Sequence, residues 1–177
     1  MSTRVASRYA KSLLDLSIDE KIEDKVNKDM ESLATIVKES KDMENLLASP
    51  IIDSKKKAAI FSDLFDSKME KVSVNFINLI TKNGREGMLL KIAESFVEQF
   101  KAHKGIVDVY ITSATKLEDS AREKILAKVK SMVDGTLVTH ESVDPSLIGG
   151  FTVRINDKEL DASISSQFRN LKNILLN

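Results

Sequence analysis

Cysteine and tryptophan are absent from this chain, proline stands at only two of its 177 positions, and glycine at six. Without cysteine there can be no disulfide, no thiolate nucleophile and no cysteine-based metal centre. With Pro50 and Pro145 as the only prolines, few positions force a helix to break, so long helices with short connections are expected. Aromatic residues make up only 5 %, which leaves the core to Leu, Ile, Val, Met, Ala and a few Phe. An excess of one charge is also missing: 27 basic residues balance 27 acidic ones. That balance argues against a nucleic-acid partner, because such binding draws its affinity from neutralising phosphates. No apolar run approaches the ~20 residues needed to cross a bilayer, so direct membrane insertion is not expected. Residues 1–14 hold no acidic residue, while Arg4, Arg8 and Lys11 alternate with small residues. This resembles a mitochondrial presequence in composition, but the apolar series Val5, Tyr9, Leu13 and Leu16 runs on past Asp15, so the segment is read as the first helix of the domain.

What is present is helical periodicity. The first helix starts at Ser2 or Thr3 and runs to about Ile18. Ile22, Val26, Met30, Leu33 and Val37 fall at spacings of four and three, one face of a second amphipathic helix. Met43, Leu46 and Leu47 suggest a short third helix, ended at Ser49-Pro50. Asp53 is a good N-cap for a fourth, carrying Ala58, Phe61, Leu64 and Phe65. A fifth follows Ser67 with Met69, Val72, Phe76, Leu79 and Ile80 inward, and stops at Asn83-Gly84, a pair that tolerates positive φ. A sixth spans about Glu86 to His103, burying Leu89, Ile92, Phe96 and Phe100.

After Lys104-Gly105 the period changes. Val107, Val109 and Ile111 alternate with Asp108, Tyr110 and Thr112, as in a strand. A helix from about Glu118 to Val133, with Ile125, Val129 and Met132 on one side, is followed by strands at Leu137–Val143, Gly150–Ile155 and near Leu160, the last two joined at Asn156-Asp157. Ser163 or Ser165 caps a terminal helix carrying Phe168, Leu171, Ile174 and Leu175. The fold class is therefore mainly α: a six-helix bundle over 1–104, then a small α+β domain over 105–177.

Chemistry is hard to find. Gly84 and Gly87 lack the spacing and the following GK[ST] of a phosphate loop. Gly149-Gly150 leads into a strand, where close backbone approach or a bulge explains it better than a pyrophosphate. His103 and His140 stand in no metal-ligand spacing and are read as surface or packing residues. Lys55-Lys56-Lys57 are read as solvated, as are the mixed charges from Asp19 to Lys25. No catalytic residue, cofactor or metal site is assigned.

Three ordered motifs carry a resemblance. Near the start stands Arg8-Tyr9-Ala10-Lys11-Ser12-Leu13; Asn83-Gly84-Arg85 follows the fifth helix. The third motif joins Val143-Asp144, Leu147-Ile148-Gly149-Gly150-Phe151, Val153-Arg154-Ile155, and Asp161 with Ser163. Together they resemble the delta subunit of F-type ATP synthases, whose mitochondrial counterpart is the oligomycin-sensitivity-conferring protein. Ser12 departs from the family's usual Ala with little added volume. The resemblance implies a non-catalytic stator subunit, one copy per complex, that joins the α3β3 catalytic head to the b subunits of the peripheral stalk and resists rotor torque during proton-driven ATP synthesis. The N-terminal segment of an α subunit is then expected in a groove between the first and fifth helices, with Tyr9, Ser12 and Leu13 on one wall and Asn75, Leu79 and Lys82 on the other. Gly149, Gly150, Phe151 and Asp161 are the family signature, and Phe168, Leu171 and Leu175 are candidates to face the stalk. With no N-terminal extension in view, the expected location is the cytoplasmic face of a bacterial plasma membrane, held there through the complex. The competing expectation is a generic helical adaptor that captures another partner's amphipathic helix.

Overall fold

A computed structural model describes residues 2–49, 52–133, 135–155, 158–166, 168, 169 and 172. The chain divides into two compact units, Met1–Lys101 and Ala102–Asn177. The expected boundary at 104/105 falls instead at the end of the last helix of the series, which runs three residues past this division.

The first unit is built from α1 (Ser2–Asp19), α2 (Glu23–Glu39), α3 (Lys41–Ala48), α4 (Ser54–Phe65), α5 (Lys71–Lys82) and α6 (Leu89–Lys104), with a 3-10 turn at Glu86–Met88 before α6. Helix starts follow side-chain chemistry. Ser40 accepts a hydrogen bond from the Met43 amide at 3.3 Å, and Asp53 one from Lys55 at 3.4 Å, each satisfying an orphan donor. The N-terminus of α5 has no such residue of its own. Asp29 of α2 reaches across, accepting from the Glu70 amide at 2.9 Å and the Ser73 hydroxyl at 2.6 Å. At the far end of α5, Gly84 (φ +64°) lets the Gly84 amide meet the Thr81 carbonyl and the Arg85 amide the Ile80 carbonyl, each at 3.0 Å. This is a Schellman closure.

The core takes Val26, Met30, Leu33 and Val37 from α2 and Leu89, Ile92, Phe96 and Phe100 from α6, as the periodicity requires. Three expectations need correcting. On α1 the buried stripe is Ala6, Ala10, Leu13, Leu14 and Ser17, whereas Leu16 is exposed and Val5 and Tyr9 only half-buried. On α5 it is Ser73, Val74, Ile77, Ile80 and Thr81, leaving Val72 and Phe76 half-buried and Leu79 exposed. On each helix the buried face is turned around the axis from the one expected. Finally, on α4 Lys57 is not solvated but buried at 1 % exposure, and Leu64, expected inward, is exposed.

In the second unit β1 (Ile106–Ser113), α7 (Asp119–Lys130), β2 (Thr136–Val143), β3 (Phe151–Ile155) and β4 (Lys158–Asp161) follow in chain order. The sheet order is β2-β1-β3-β4. β1 and β2 are parallel, with Val109 opposite Thr139, so a crossover must join them, and α7 is that crossover. β3 pairs antiparallel with both β1 and β4. Inward positions alternate: Val109 and Ile111 of β1 and Val153 and Ile155 of β3 pack with Ile125 and Val129 of α7. Met132, expected inside, lies beyond the end of α7 and is exposed. On the opposite sheet face His140 stacks on Tyr110 (ring centroids 4.8 Å apart) and pairs with Asp108 at 2.9 Å, while Arg154 lies over the same tyrosine ring at 4.9 Å. The Asn156-Asp157 turn lies outside the described residues. Residues 164–166, 168, 169 and 172 are helical.

Candidate partner-binding site

Because α1 and α5 bury faces other than the expected ones, each is left with a second apolar stripe. On α1 the stripe is Val5, Tyr9 and Leu16 with Ser12 between them; on α5 it is Val72, Phe76 and Leu79. These are helical spacings of three and four, so each series lies on one face. The two faces meet at Tyr9, whose ring packs edge-on against Phe76 with centroids 6.5 Å apart and planes at 70°. Leu79 is 52 % exposed and Leu16 46 %, so a sizeable apolar strip remains open to solvent on the two helices.

The expected groove residues fall into two groups. Ser12, Asn75, Leu79 and Lys82 are exposed and Tyr9 is half-buried, all positions from which a docked chain is reachable. Leu13 is the exception. It is 1 % exposed and belongs to the core stripe with Ala6 and Ala10, so it holds α1 in place and offers no wall to a partner. The Ser12 hydroxyl is already donated to the Arg8 carbonyl at 3.1 Å. Sequence reasoning missed Leu16, Phe76 and Arg85. The first two carried a signal, since they continue the second stripe, but that stripe was read as the core.

Arg85 carried no signal beyond its place in the Asn83-Gly84-Arg85 turn. Its Nη1 donates to the Tyr9 hydroxyl at 2.5 Å and its guanidinium carbon lies 5.6 Å from the tyrosine ring centroid, within cation–π range. The turn that aims it is anchored from below. Glu86 pairs with buried Lys57 at 2.6 Å, and the same ammonium donates to the Ser49 carbonyl at 2.6 Å and the Leu47 carbonyl at 3.5 Å. Lys57 thus satisfies carbonyls at the C-terminal end of α3, where intrahelical partners run out. Both ends of α5 are fixed from other helices, by Asp29 at the start and by Lys57 through Glu86 at the close.

The signature residues of the second unit do something different. Gly150 has φ +83°, and a Cβ there would stand 2.5 Å from the Ala162 carbonyl oxygen; one on Gly149 would stand 2.5 Å from the Ile164 Cδ1. The Gly149 carbonyl accepts from the Ile164 amide and the Phe151 carbonyl from the Ala162 amide, both at 3.0 Å. Asp161 accepts from the Ser163 amide at 2.8 Å and from the Ser166 hydroxyl, and Ser163 in turn caps the Ser166 amide at 3.3 Å. Close backbone approach is therefore the use of the glycine pair: it seats the start of the terminal helical segment on β3. Phe151 is half-buried beside the sheet core. Of the stalk-facing candidates, Phe168 is 68 % exposed, while Leu171 and Leu175 lie outside the described residues.

Hydrogen bonds from Ser166 and then Ser163 hold the Asp161 carboxyl down to about 2, and those from Ser146 hold Asp144 below its ordinary value. Hydrogen bonding to Glu70 raises Lys25. Asp161 and Asp144 are thus held by serine donors, and Lys25 by its ion pair with Glu70 at 2.8 Å. Among the described residues no group of histidines and carboxylates could hold a metal ion.

The family model described as ATP synthase delta (OSCP) subunit matches residues 5–175. The chain belongs to the ATP synthase delta (OSCP) subunit family. Among curated relatives, the ATP synthase subunit delta of Christiangramia forsetii is 34 % identical over 171 residues, covering 96 % of this chain and 92 % of that one. That of Flavobacterium johnsoniae is 31 % identical and covers 99 % of both chains. A chain in the Toxoplasma gondii mitochondrial ATP synthase hexamer shares the fold with a TM-score of 0.72, 20 % identity and 97 % coverage of both chains. Membership in this family makes the chain a non-catalytic stator subunit of F-type ATP synthase, linking catalytic head and peripheral stalk. Among the described residues no helix is long and apolar enough to cross a membrane.

Proposed function

We propose that the two units divide the linking task. The first, read as the family's six-helix bundle, takes the N-terminal segment of an α subunit along the α1–α5 faces; the second holds the end of the stalk's b subunits. The observation that carries this reading is the pair of apolar stripes left unburied on α1 and α5 around the Tyr9–Phe76 contact. From Val5 to Leu16 the strip on α1 spans about 16 Å, at 1.5 Å rise per residue, enough to seat three turns of an amphipathic helix. Such helix-in-groove contacts bury anchors at three- and four-residue spacing, the spacing found here. For the second unit, support comes from an open cleft of about 930 Å³ between α7 and β3–β4, lined by Ile125, Met132, Phe151 and Leu160 with Lys124 and Lys158 at its rim. On this reading the protein sits at the cytoplasmic face of a bacterial plasma membrane, one copy per complex.

Titrating the purified full chain with a synthetic peptide of the α subunit's first 25 or so residues tests the head contact. Saturable one-to-one binding is expected, lost on Leu79→Asp. Absence of binding removes the reading of the first unit. Capture of b subunits by the full chain, weakened by Phe151→Asp or Leu160→Asp but not by Leu79→Asp, tests the second.

A further inference from the structure

The chain as a whole is neutral, yet the two helices that flank the open apolar strip are not. Residues 2–14 contain Arg4, Arg8 and Lys11 and no carboxylate; residues 71–85 contain Lys71, Lys82 and Arg85 and no carboxylate. All six cations are exposed, and among the described residues none pairs with an acidic side chain. The nearby acids are engaged elsewhere or lie further along α1. Glu86 is held by Lys57, Glu70 by Lys25 at 2.8 Å, and Asp29 caps α5; Asp15 stands one helical turn from Lys11 but forms no ion pair among the described residues, and Asp19 lies four residues further on. Unpaired like charges on both sides of an apolar strip cost stability in the free protein through self-repulsion, and a partner of opposite sign relieves it.

We propose that the helix docked on α1 and α5 is acidic on the flanks of its apolar face, and that Arg85 is the residue that reads one of its carboxylates. This rests on the function proposed above and names the chemistry of the partner segment. Arg85 is suited to the task. Among the described residues only Nη1 is used, on the Tyr9 hydroxyl, which leaves the other edge of a planar five-donor group for a ligand. Its backbone is fixed twice, by the Schellman closure at Gly84 and by the Lys57–Glu86 pair one residue on. Its side chain is already drawn to Tyr9 by that hydrogen bond and the ring contact, which lowers the ordering cost when an anion arrives. Basic residues from Arg4 to Lys11 followed by Asp15 and Asp19 also polarise α1 along its length, which sets the direction in which a charged helix lies down.

The test is calorimetric titration of the full chain, as wild type, Arg85→Gln and Arg85→Lys, with two peptides: the α subunit's N-terminal 25 residues, and the same peptide with every Asp and Glu changed to Asn and Gln. Circular dichroism checks that each variant is folded. We expect Arg85→Gln to weaken the acidic peptide about tenfold, as loss of one charge-assisted hydrogen bond implies, and to leave the amide peptide nearly unchanged. Arg85→Lys should keep part of the discrimination. Raising NaCl from 50 to 500 mM, which shortens the Debye length from roughly 14 to 4 Å, should weaken wild-type binding severalfold and flatten the difference between peptides. Equal binding of both peptides to the wild type overturns the inference while leaving the groove in place. So does an equal loss for both on Arg85→Gln, which would reduce Arg85 to a prop for Tyr9. Binding of neither peptide removes the groove reading itself, and the inference with it. A chain that dimerises in sedimentation through a contact abolished by Leu79→Asp, or that prefers anionic phosphatidylglycerol vesicles to the peptide, assigns the cations to a different occupant and also overturns it.

Discussion

In the first unit, residues that periodicity assigns to the core are left open to solvent; in the second, the most recognisable residues serve the fold's own backbone. Val5, Tyr9 and Leu16 on α1, with Phe76 and Leu79 on α5, look like interior positions by size and spacing and are left at the surface. Gly149, Gly150 and Asp161 look like a binding motif and are spent on backbone geometry, seating a helical segment against β3. A binding face built from helices shows up as surplus apolar residues. A motif built on glycine shows up as a steric necessity. The strength of a motif and the location of the contact are separate questions, and the two halves of this chain answer them oppositely.

The sharpest way to break the contrast is to remove what fixes α5. Lys57→Met leaves Glu86 buried without its partner and the Leu47 and Ser49 carbonyls without a donor. Breaking one side of a buried pair costs about 3–5 kcal/mol. Urea denaturation followed by amide exchange should place that loss in residues 2–101, with protection of β1 and β3 retained. Equal loss of protection in both units would mean that they do not keep separate stabilities.

Gly150→Ala attacks the other unit. The new Cβ meets the Ala162 carbonyl oxygen at 2.5 Å with φ at +83°, so strain and clash add, for an expected loss of about 2–3 kcal/mol. Gly149→Ala should cost clearly less, because its Cβ meets only the end of the Ile164 side chain, which can turn away. If the two substitutions cost the same, the glycine pair is serving a contact and not the backbone.

Leu79→Asp should separate surface from core within α5. At 52 % exposure it should change folding stability by about 0.5 kcal/mol or less yet weaken binding of the α-subunit peptide at least tenfold. Ile80→Ala, at a fully buried neighbouring position, should do the reverse, costing about 2–4 kcal/mol of stability.

Much of this architecture was legible in advance because helix and strand periods differ. The change at Lys104-Gly105, the four strands and the caps at Asp53 and Ser163 follow from local chemistry, and the C-cap at Asn83-Gly84 is closed as its residue types imply. What could not be read is which of two apolar stripes a helix buries. That choice depends on neighbours distant in sequence: α1 buries Ala6 and Ala10 while Leu16 is exposed, which side-chain hydrophobicity alone does not predict. Lys57 was unreadable for the same reason, since one lysine in a run of three is drawn inward only by carbonyls at the end of α3 and by Glu86, 29 residues away. Arg85 could be placed in a turn but not aimed at Tyr9, a residue 76 positions earlier.

The smallest expected effect concerns acid. Asp161 has its carboxyl held down to about 2 by the Ser166 and Ser163 hydrogen bonds, against about 3.9 in an unfolded chain. A carboxyl lowered by folding contributes stability that is present above its unfolded value and is lost as pH falls through its folded one. The stabilisation of the helical segment after Ser163 should therefore be intact at pH 5 and decline between about pH 4 and 2. Because Asp161 is exposed, the effect is local, and it is best read from the Ser163 and Ser166 amide resonances during an acid titration. Asp161→Asn should remove that pH dependence while Gly149 and Gly150 continue to hold the β3 side of the junction. If the two amides titrate with a midpoint near 4 in the wild type, the Asp161 bonds do not persist in solution, and the glycine pair alone seats the segment.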